Sequence, residues 1–192
     1  MPNSAAPQLS LRQRQTRQTR DAIMQAAETL FTTRGYGGVG VREIANEAGV
    51  NLALISRHFG SKLMLFDAVL QRILTSEIFI PTDRSKCGDY VANMVCGATR
   101  PRVRMLGALV MSAGDEAARE VSLRVICDQV LAPLERWFDN DDAHYRAVQV
   151  TLVLTGLFTY RDLLPLASLQ PVVSEKMVKW LSRTLQDIVD SD

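Results

Sequence analysis

Apolar residues recur along this chain at the spacing of helical faces. In the first third, the apolar positions that lie three and four residues apart are Ile23, Ala26, Ala27, Leu30 and Phe31. This spacing predicts a helix over residues 16–33, which the glycine-rich stretch 34–38 brings to an end. The alternation of apolar and polar residues that is typical of strands does not appear between turn signals, so the pattern predicts an all-α fold.

Two short helices are predicted next. The first covers residues 41–48, and Gly49 ends it because glycine accepts the left-handed conformation found at helix C-termini. The second covers residues 52–59, and Asn51 is placed to cap its N-terminus. Two short helices joined by a turn of three or four residues that contains glycine are typical of a helix-turn-helix.

The rest of the chain is also predicted to be helical. A fourth helix from residue 63 to near Pro81 is long enough to link two bodies. Its apolar positions are Leu63, Phe66, Leu70, Ile73, Leu74 and Ile78. After a loop over residues 82–88, helical segments are expected over 89–99, 102–113, 115–138, 143–164 and 171–189. Pro101 and Pro133 should break or kink the helices that contain them.

Charge is distributed unevenly in a chain whose net charge is only +1. Residues 1–80 carry nine Lys or Arg against six Asp or Glu, whereas residues 81–192 carry thirteen against fifteen. No acidic residue precedes Asp21, and the basic residues before it are Arg12, Arg14, Arg17 and Arg20. This basic arm suits a polyanionic partner, although a merely solvated tail would have the same composition.

Composition and motifs argue against an enzyme, a metal site and a cofactor. The two histidines are His58 and His144, and no nucleophile–base pair, metal cluster or phosphate-cradling glycine loop is recognisable. The three cysteines lack the close spacing of zinc or dithiol sites, which indicates buried thiols in a reducing compartment and leaves redox sensing open. They are Cys87, Cys96 and Cys127.

Targeting signals are not apparent either. The first twenty residues lack the apolar run of a signal peptide. The longest apolar stretch, residues 147–160, is shorter than the about 20 residues that a membrane span requires. We therefore expect a cytoplasmic protein without a membrane partner.

Residues 20–70 resemble the DNA-binding domain of the TetR family. The matching motifs, in the family's order and spacing, are Ala26-Ala27, Leu30-Phe31, Gly35-Tyr36, Val41-Arg42-Glu43-Ile44-Ala45, Ala48-Gly49-Val50, Ile55, His58-Phe59 and Ser61-Lys62. The resemblance implies a three-helix head, a linking helix, and a helical C-terminal domain that binds an effector and dimerises. The corresponding boundaries are 1–15 for a flexible basic arm, 16–62 for the head, 63–80 for the linking helix and 81–192 for the C-terminal domain.

The third helix should carry the surface that reads DNA. Ile55 and Phe59 lie four residues apart and should face the core, which turns the opposite side of the helix outward. By resemblance, the major-groove contacts come from Asn51, Leu52, Ala53, Leu54, Ser56 and Arg57, and the backbone contacts come from Arg42, His58 and Lys62. The three apolar side chains can contact thymine methyl groups but cannot hydrogen-bond to bases. Arg57 is the one long donor, and it could contact either a phosphate or a base.

Two positions depart from the family pattern. Ser56 stands where the family usually has tyrosine, and Val39-Gly40 stands where it usually has a serine or threonine near the start of the second helix. Each change removes a hydroxyl that would contact a phosphate. We therefore expect the arginines of the arm to supply compensating contacts.

Two sets of C-terminal residues follow from the resemblance and from helical periodicity. The candidate effector-binding residues are Met94, Met105, Leu109, Met111, Ile126, Trp137 and Phe158. The candidate dimerisation residues are Val148, Leu152, Gly156, Tyr160, Met177, Leu181, Leu185 and Ile188. Packing within one subunit would account for either set equally well. Arg100, Arg102 and Arg104 could hold an anionic ligand or form a solvated loop.

The expected function is that of a homodimeric regulator that binds double-stranded operator DNA. By resemblance it is a repressor that a small-molecule effector releases from a palindromic operator. The alternative is an architectural or partner-recruiting DNA-binding protein that has no small-molecule sensor. Only features of the C-terminal half can distinguish the two functions, because a repressor and an architectural protein would share the same head.

Deleting residues 1–15 should weaken operator binding and flatten its salt dependence, because Arg12 and Arg14 are lost with this segment. The check is the slope of the logarithm of the binding constant against the logarithm of salt concentration. An unchanged slope in the truncated protein would refute a role of the arm in phosphate binding.

Overall fold

The computed structural model describes residues 11–74, 80–97 and 109–191, and within these ranges no strand occurs. The helices are α1 (Leu11–Arg34), α2 (Val41–Glu47), α3 (Leu52–Phe59), α4 (Lys62–Ile73), α5 (Cys87–Cys96), α6 (Glu116–Ile126), α7 (Ala132–Phe138), α8 (Ala143–Phe158) and α9 (Glu175–Asp190). The all-α prediction is confirmed. In the described part of the chain, no helix combines the length and the apolar character needed to cross a membrane.

The N-terminal helices form a small head in which α1 packs against α2 and α4, and α3 lies between α2 and α4. Ile23, Ile44 and Ile55 are buried at its centre. Helix α1 begins at Leu11 rather than at the predicted residue 16, so the last part of the predicted flexible arm is helical. Residues 11–18 of this helix are exposed on every side.

Three aromatic rings join the separate parts of the head. Phe31 of α1 and Phe66 of α4 are fully buried, and their ring centroids lie 5.1 Å apart in an edge-to-face arrangement. Tyr36, in the turn after α1, lies 5.1 Å from Phe66. Gly35 precedes it with a φ of +67°, a conformation that residues with a side chain rarely adopt.

Helix α4 is shorter than predicted. It ends at Ile73, because Leu74 turns away from the helical conformation with a ψ of 67°. Ile78, the last residue of the predicted stripe, lies outside the described residues. Leu63 is only half-buried, since Leu65 takes the core position on that turn. Helix α4 packs against α6 and thereby connects the head to the C-terminal helices.

Helices α5 and α9 pack closely against each other. A short 3-10 turn over Arg84–Lys86 leads into α5 at Cys87, so the predicted loop over residues 82–88 is partly wrong. Helix α9 begins at Glu175 and not at Pro171, because the hydroxyl of Ser174 caps it by accepting the N–H of Met177.

The cysteines do not share one environment. Cys87 and Cys96 are buried as predicted, and burial raises the pKa of the Cys87 thiol to about 11. Cys127 is exposed, so the prediction of burial is wrong for this residue.

Two π-helical turns widen the C-terminal helices. The first, Cys127–Leu131, lies between α6 and α7 and accommodates Pro133, which has no N–H to donate to the turn before it. The predicted break or kink at Pro133 therefore appears as a π-helical turn. Pro101 lies outside the described residues. The second π turn, Thr159–Leu163, contains Arg161, which is 2% exposed and donates to the carbonyls of Val95 and Cys96.

Replacing Gly88 by alanine should destabilise the protein by about 1–3 kcal/mol, because a methyl group at this position overpacks the α5–α9 contact. The added carbon would lie 2.1 Å from the carbonyl oxygen of Ser182. Urea unfolding at one protein concentration measures the change. Gly114→Ala is the matched control, since nothing lies within 4 Å of its added carbon. Equal stability of the two variants would contradict the close packing.

Candidate DNA-binding surface

Local chemistry fixes both ends of the turn between α2 and α3. Gly49 adopts a φ of +64°, as predicted for the residue that ends α2. The side-chain oxygen of Asn51 accepts the N–H of Ala53 at 2.9 Å, which confirms it as the cap of α3. This oxygen therefore already accepts a hydrogen bond from the backbone of α3.

Two buried side chains set the orientation of α3. Ile55 and Phe59 are 1% and 6% exposed and pack into the core of the head. As predicted, the residues on the opposite face are exposed, and they are Leu52, Ala53, Ser56 and Arg57. Leu54 differs from its neighbours because it is half-buried against the core. The outward face therefore offers small apolar groups, one hydroxyl and one guanidinium.

The predicted backbone contacts lie on three successive helices. Arg42 is exposed on α2, and His58 is half-buried next to the ring of Phe59. Lys62 begins α4, and its ammonium lies 4.0 Å above the centre of the Tyr36 ring. Burial lowers the pKa of Lys62, and the negative charge of nearby Asp115 opposes this effect. The ring holds the cation at a defined position, as cation–π contacts do.

The N-terminus of α2 already holds an anion. Glu43 accepts the N–H of Gly40 at 2.7 Å, and the guanidinium of Arg34 lies 2.8 Å from both oxygens of this carboxylate. Arg34 also donates to the carbonyl of Gly38. The guanidinium of Arg34 thus neutralises this carboxylate, and the N–H of Gly40 is already donated to it.

No role was predicted for the side chains of Arg34 and Glu43. The spacing between Gly40 and Glu43 is that of a capping box, in which the third residue of the helix accepts the N–H of the cap. That signal was present in the sequence. The pairing of Glu43 with Arg34 could not be predicted, because it depends on the path of the turn between α1 and α2.

Arg20 brings the basic N-terminal part of α1 next to α3. Its guanidinium lies 5.0 Å from the ring centre of Phe59, the last residue of α3. Arg12, Arg14 and Arg17 extend from this point along the exposed part of α1. The arginines of the arm therefore lie along a helix that passes beside the end of α3 at Arg20.

The candidate effector-binding residues do not occupy equivalent positions. Leu109 and Phe158 are buried, whereas Met111 is 43% exposed and lies against Gly35 of the head. Met94, Ile126 and Trp137 are half-buried, and Met105, like Arg100, Arg102 and Arg104, lies outside the described residues. Three surface concavities of about 470, 580 and 490 Å³ in the described part of the chain are lined by other residues.

The candidate dimerisation residues divide between two faces. Leu181 and Leu185 are each 1% exposed and belong to the core of the subunit, so they are not available to a partner. Leu152 and Tyr160 are 66% and 50% exposed. The half-buried members are Val148, Gly156, Met177 and Ile188. Tyr145 and Trp180 are also exposed.

Comparisons with known proteins cover both halves of the chain. Residues 23–69 match the family model described as bacterial regulatory proteins, tetR family. Residues 86–189 match the model of the tetracyclin repressor-like C-terminal domain.

Among curated proteins, a segment of 53 residues is 47% identical to the transcriptional activator FasR of Mycolicibacterium smegmatis. This segment makes up 28% of this chain and 24% of FasR. A segment of 54 residues is 46% identical to an HTH-type transcriptional repressor of Mycobacterium tuberculosis, which is 28% of this chain and 29% of the repressor. The matched segment thus spans about a quarter of the length of these relatives.

Two solved structures share the fold. A chain from Rhodococcus sp. described as a TetR-family transcriptional regulator superposes with a TM-score of 0.73 at 20% identity, over 90% of this chain and 99% of that one. The second is NalD, the secondary repressor of the MexAB-OprM multidrug efflux pump in Pseudomonas aeruginosa. It superposes with a TM-score of 0.62 at 22% identity, over 89% of this chain and 97% of NalD. At these identities the likeness concerns the fold alone.

Glu43→Gln should destabilise the protein near neutral pH, and the difference from the wild type should shrink in acid. The hydrogen bond from Arg34, followed by that from Gly40, lowers the pKa of Glu43 from its ordinary value of 4.5. The carboxylate therefore stabilises the fold above pH 4.5, and this contribution is lost as the pH falls through the lowered pKa.

Urea midpoints at about pH 7 and about pH 4 measure this change, because linkage requires the stability difference to follow the protonation of Glu43. Glu47→Gln, an exposed carboxylate on the same helix, is the control. If Glu43→Gln shifted the midpoint equally at both pH values, the charge of Glu43 would not be what stabilises the turn.

Proposed function

Since this chain belongs to the TetR family of bacterial regulatory proteins, we propose that it is a homodimeric transcriptional repressor released from operator DNA by a small molecule. In this proposal, the head ends at about residue 62, α4 links it to the C-terminal domain, and that domain dimerises and binds the effector. The match of residues 23–69 and 86–189 to the two family models supports this division.

The outward face of α3 is the observation that carries the proposal. It presents Leu52 and Ala53 beside Arg57 on a helix that is capped at its start and anchored by two buried residues. The apolar groups fit thymine methyl groups in the major groove, and the guanidinium can bind guanine or a phosphate. Arg42 and Lys62 lie on the flanking helices α2 and α4, where they would contact the DNA backbone.

A second copy of the chain would supply the second reading helix. Large apolar or aromatic side chains, of the kind that anchor protein interfaces, are exposed on α8, on the π turn that follows it and on α9. They are Tyr145, Leu152, Tyr160 and Trp180. Pairing through this face would give a twofold dimer, and a twofold dimer binds a palindrome whose half-sites lie about 34–36 Å apart.

Release by an effector requires a link between the C-terminal domain and the spacing of the two heads. Helix α4 contacts α6 directly, and Asp67 pairs with Arg124 at 2.7 Å across this contact. A small molecule would act through the contact if it bound one arrangement of the two domains more tightly than the other.

The proposed function predicts that the purified protein shifts DNA from the region upstream of its own gene and protects a palindrome in it. One compound from a metabolite panel should abolish the shift. Binding that no compound alters would favour an architectural or partner-recruiting protein. A protein that is monomeric at micromolar concentration, or that binds no palindrome, would contradict the proposal.

A matched pair of variants tests the reading helix in the same assay. Arg57→Ala should weaken operator binding at least about tenfold, as expected for the loss of a charged contact to DNA. Arg136→Ala removes the same charge from an exposed position on α7 and should bind like the wild type. Equal affinities of the two variants would exclude Arg57 from the interface.

A further inference from the structure

The turn after α1 is held by a residue of the C-terminal domain. The backbone N–H of Tyr36 donates to the hydroxyl oxygen of Ser112 at 2.9 Å, and the two residues lie 76 positions apart in the sequence. Ser112 is 1% exposed. Tyr36 is half-buried, and a backbone N–H that is shielded from water needs a partner, which here comes from outside the head.

Packing around this hydrogen bond is tight. Met111 lies so close to Gly35 that a side-chain carbon on the glycine would be 3.0 Å from the β-carbon of the methionine. Residues 109–112 are helical, and Asp115 then caps α6 by accepting the N–H of Ala118 at 2.9 Å. The turn after α1 is therefore fitted against the short segment that leads into α6.

The same turn carries the ring that holds Lys62. The Tyr36 ring packs on Phe66 on one side and lies 4.0 Å from the ammonium of Lys62. A shift of the Tyr36 backbone would move the ring and, with it, the cation. Asp115 adds a negative charge near Lys62 from the same C-terminal segment.

We propose that Ser112 is a positioning residue for DNA binding, which fixes the backbone of Tyr36 and thereby places the ammonium of Lys62 where it meets a phosphate. The inference rests on the proposed function, because it takes Lys62 as a backbone contact. It adds that a residue of the C-terminal domain helps to build the surface that binds DNA. Ser112 itself acts through Tyr36 and does not touch the duplex.

The test uses the full-length protein and a labelled duplex that the wild type has enriched from a random-sequence pool. Ser112→Ala should weaken binding about threefold to tenfold, the range expected for one lost hydrogen bond. The salt slope should become shallower by up to about one unit for each subunit, because each subunit loses one phosphate contact. Fluorescence anisotropy over a series of salt concentrations gives both quantities.

Ser122→Ala is the matched control. Ser122 is also a buried serine, on α6, and its hydroxyl has no hydrogen-bond partner in the part of the chain that the structure describes. Its replacement should leave the affinity and the salt slope unchanged. If Ser112→Ala fails to fold, Ser112→Cys keeps nearly the same volume with a weaker acceptor and should show the same shallower slope.

A double-mutant cycle separates positioning from general stability. In a Lys62→Ala background, Ser112→Ala should weaken binding by less than about twofold, because the contact that it positions is already absent. Full additivity of the two changes, or an unaltered salt slope in Ser112→Ala and Ser112→Cys, would overturn the inference. A wild-type protein that enriches no duplex would instead refute the proposed function, and the inference would fall with it.

Discussion

The packing of Phe31, Tyr36 and Phe66 is the interaction on which the rest of the head depends. The three rings come from α1, from the turn after it and from α4, so their contact brings separate parts of the chain to one point. Close-packed side chains permit few alternative arrangements. This cluster therefore fixes the start of α4 and, through the core that it shares with Ile55, the orientation of α3.

Electrostatics in the head divides the cations into two groups. Arg34 neutralises Glu43 at the start of α2, and Arg72 pairs with Glu28 between α4 and α1, so these charges stabilise the fold. Arg42 and Arg57 instead extend from exposed positions on α2 and α3. A net charge near zero is thus compatible with a polyanionic partner, because the cations suited to phosphates are concentrated on one part of the surface.

Helices of the C-terminal domain have one buried side and one exposed side. Leu181 and Leu185 are buried within the subunit, and the close contact at Gly88 brings α5 against α9. Trp180 points out from the same helix. The wide apolar stripe on α9 consequently has two environments: one side completes the core, and the other carries the exposed ring of Trp180.

Features of the chain whose cause is local could be predicted from the sequence. Gly49 and Asn51 define the turn between α2 and α3 through their own conformational and capping preferences, and the spacing of Ile55 and Phe59 defines the outward face of α3. Such features depend on neighbours a few residues away, so periodicity and turn chemistry suffice to predict them. The folded structure was needed to show that Leu181 faces the core of its own subunit and that Ser112 holds the turn at Tyr36, because an apolar stripe or a single hydroxyl does not reveal which distant segment covers it.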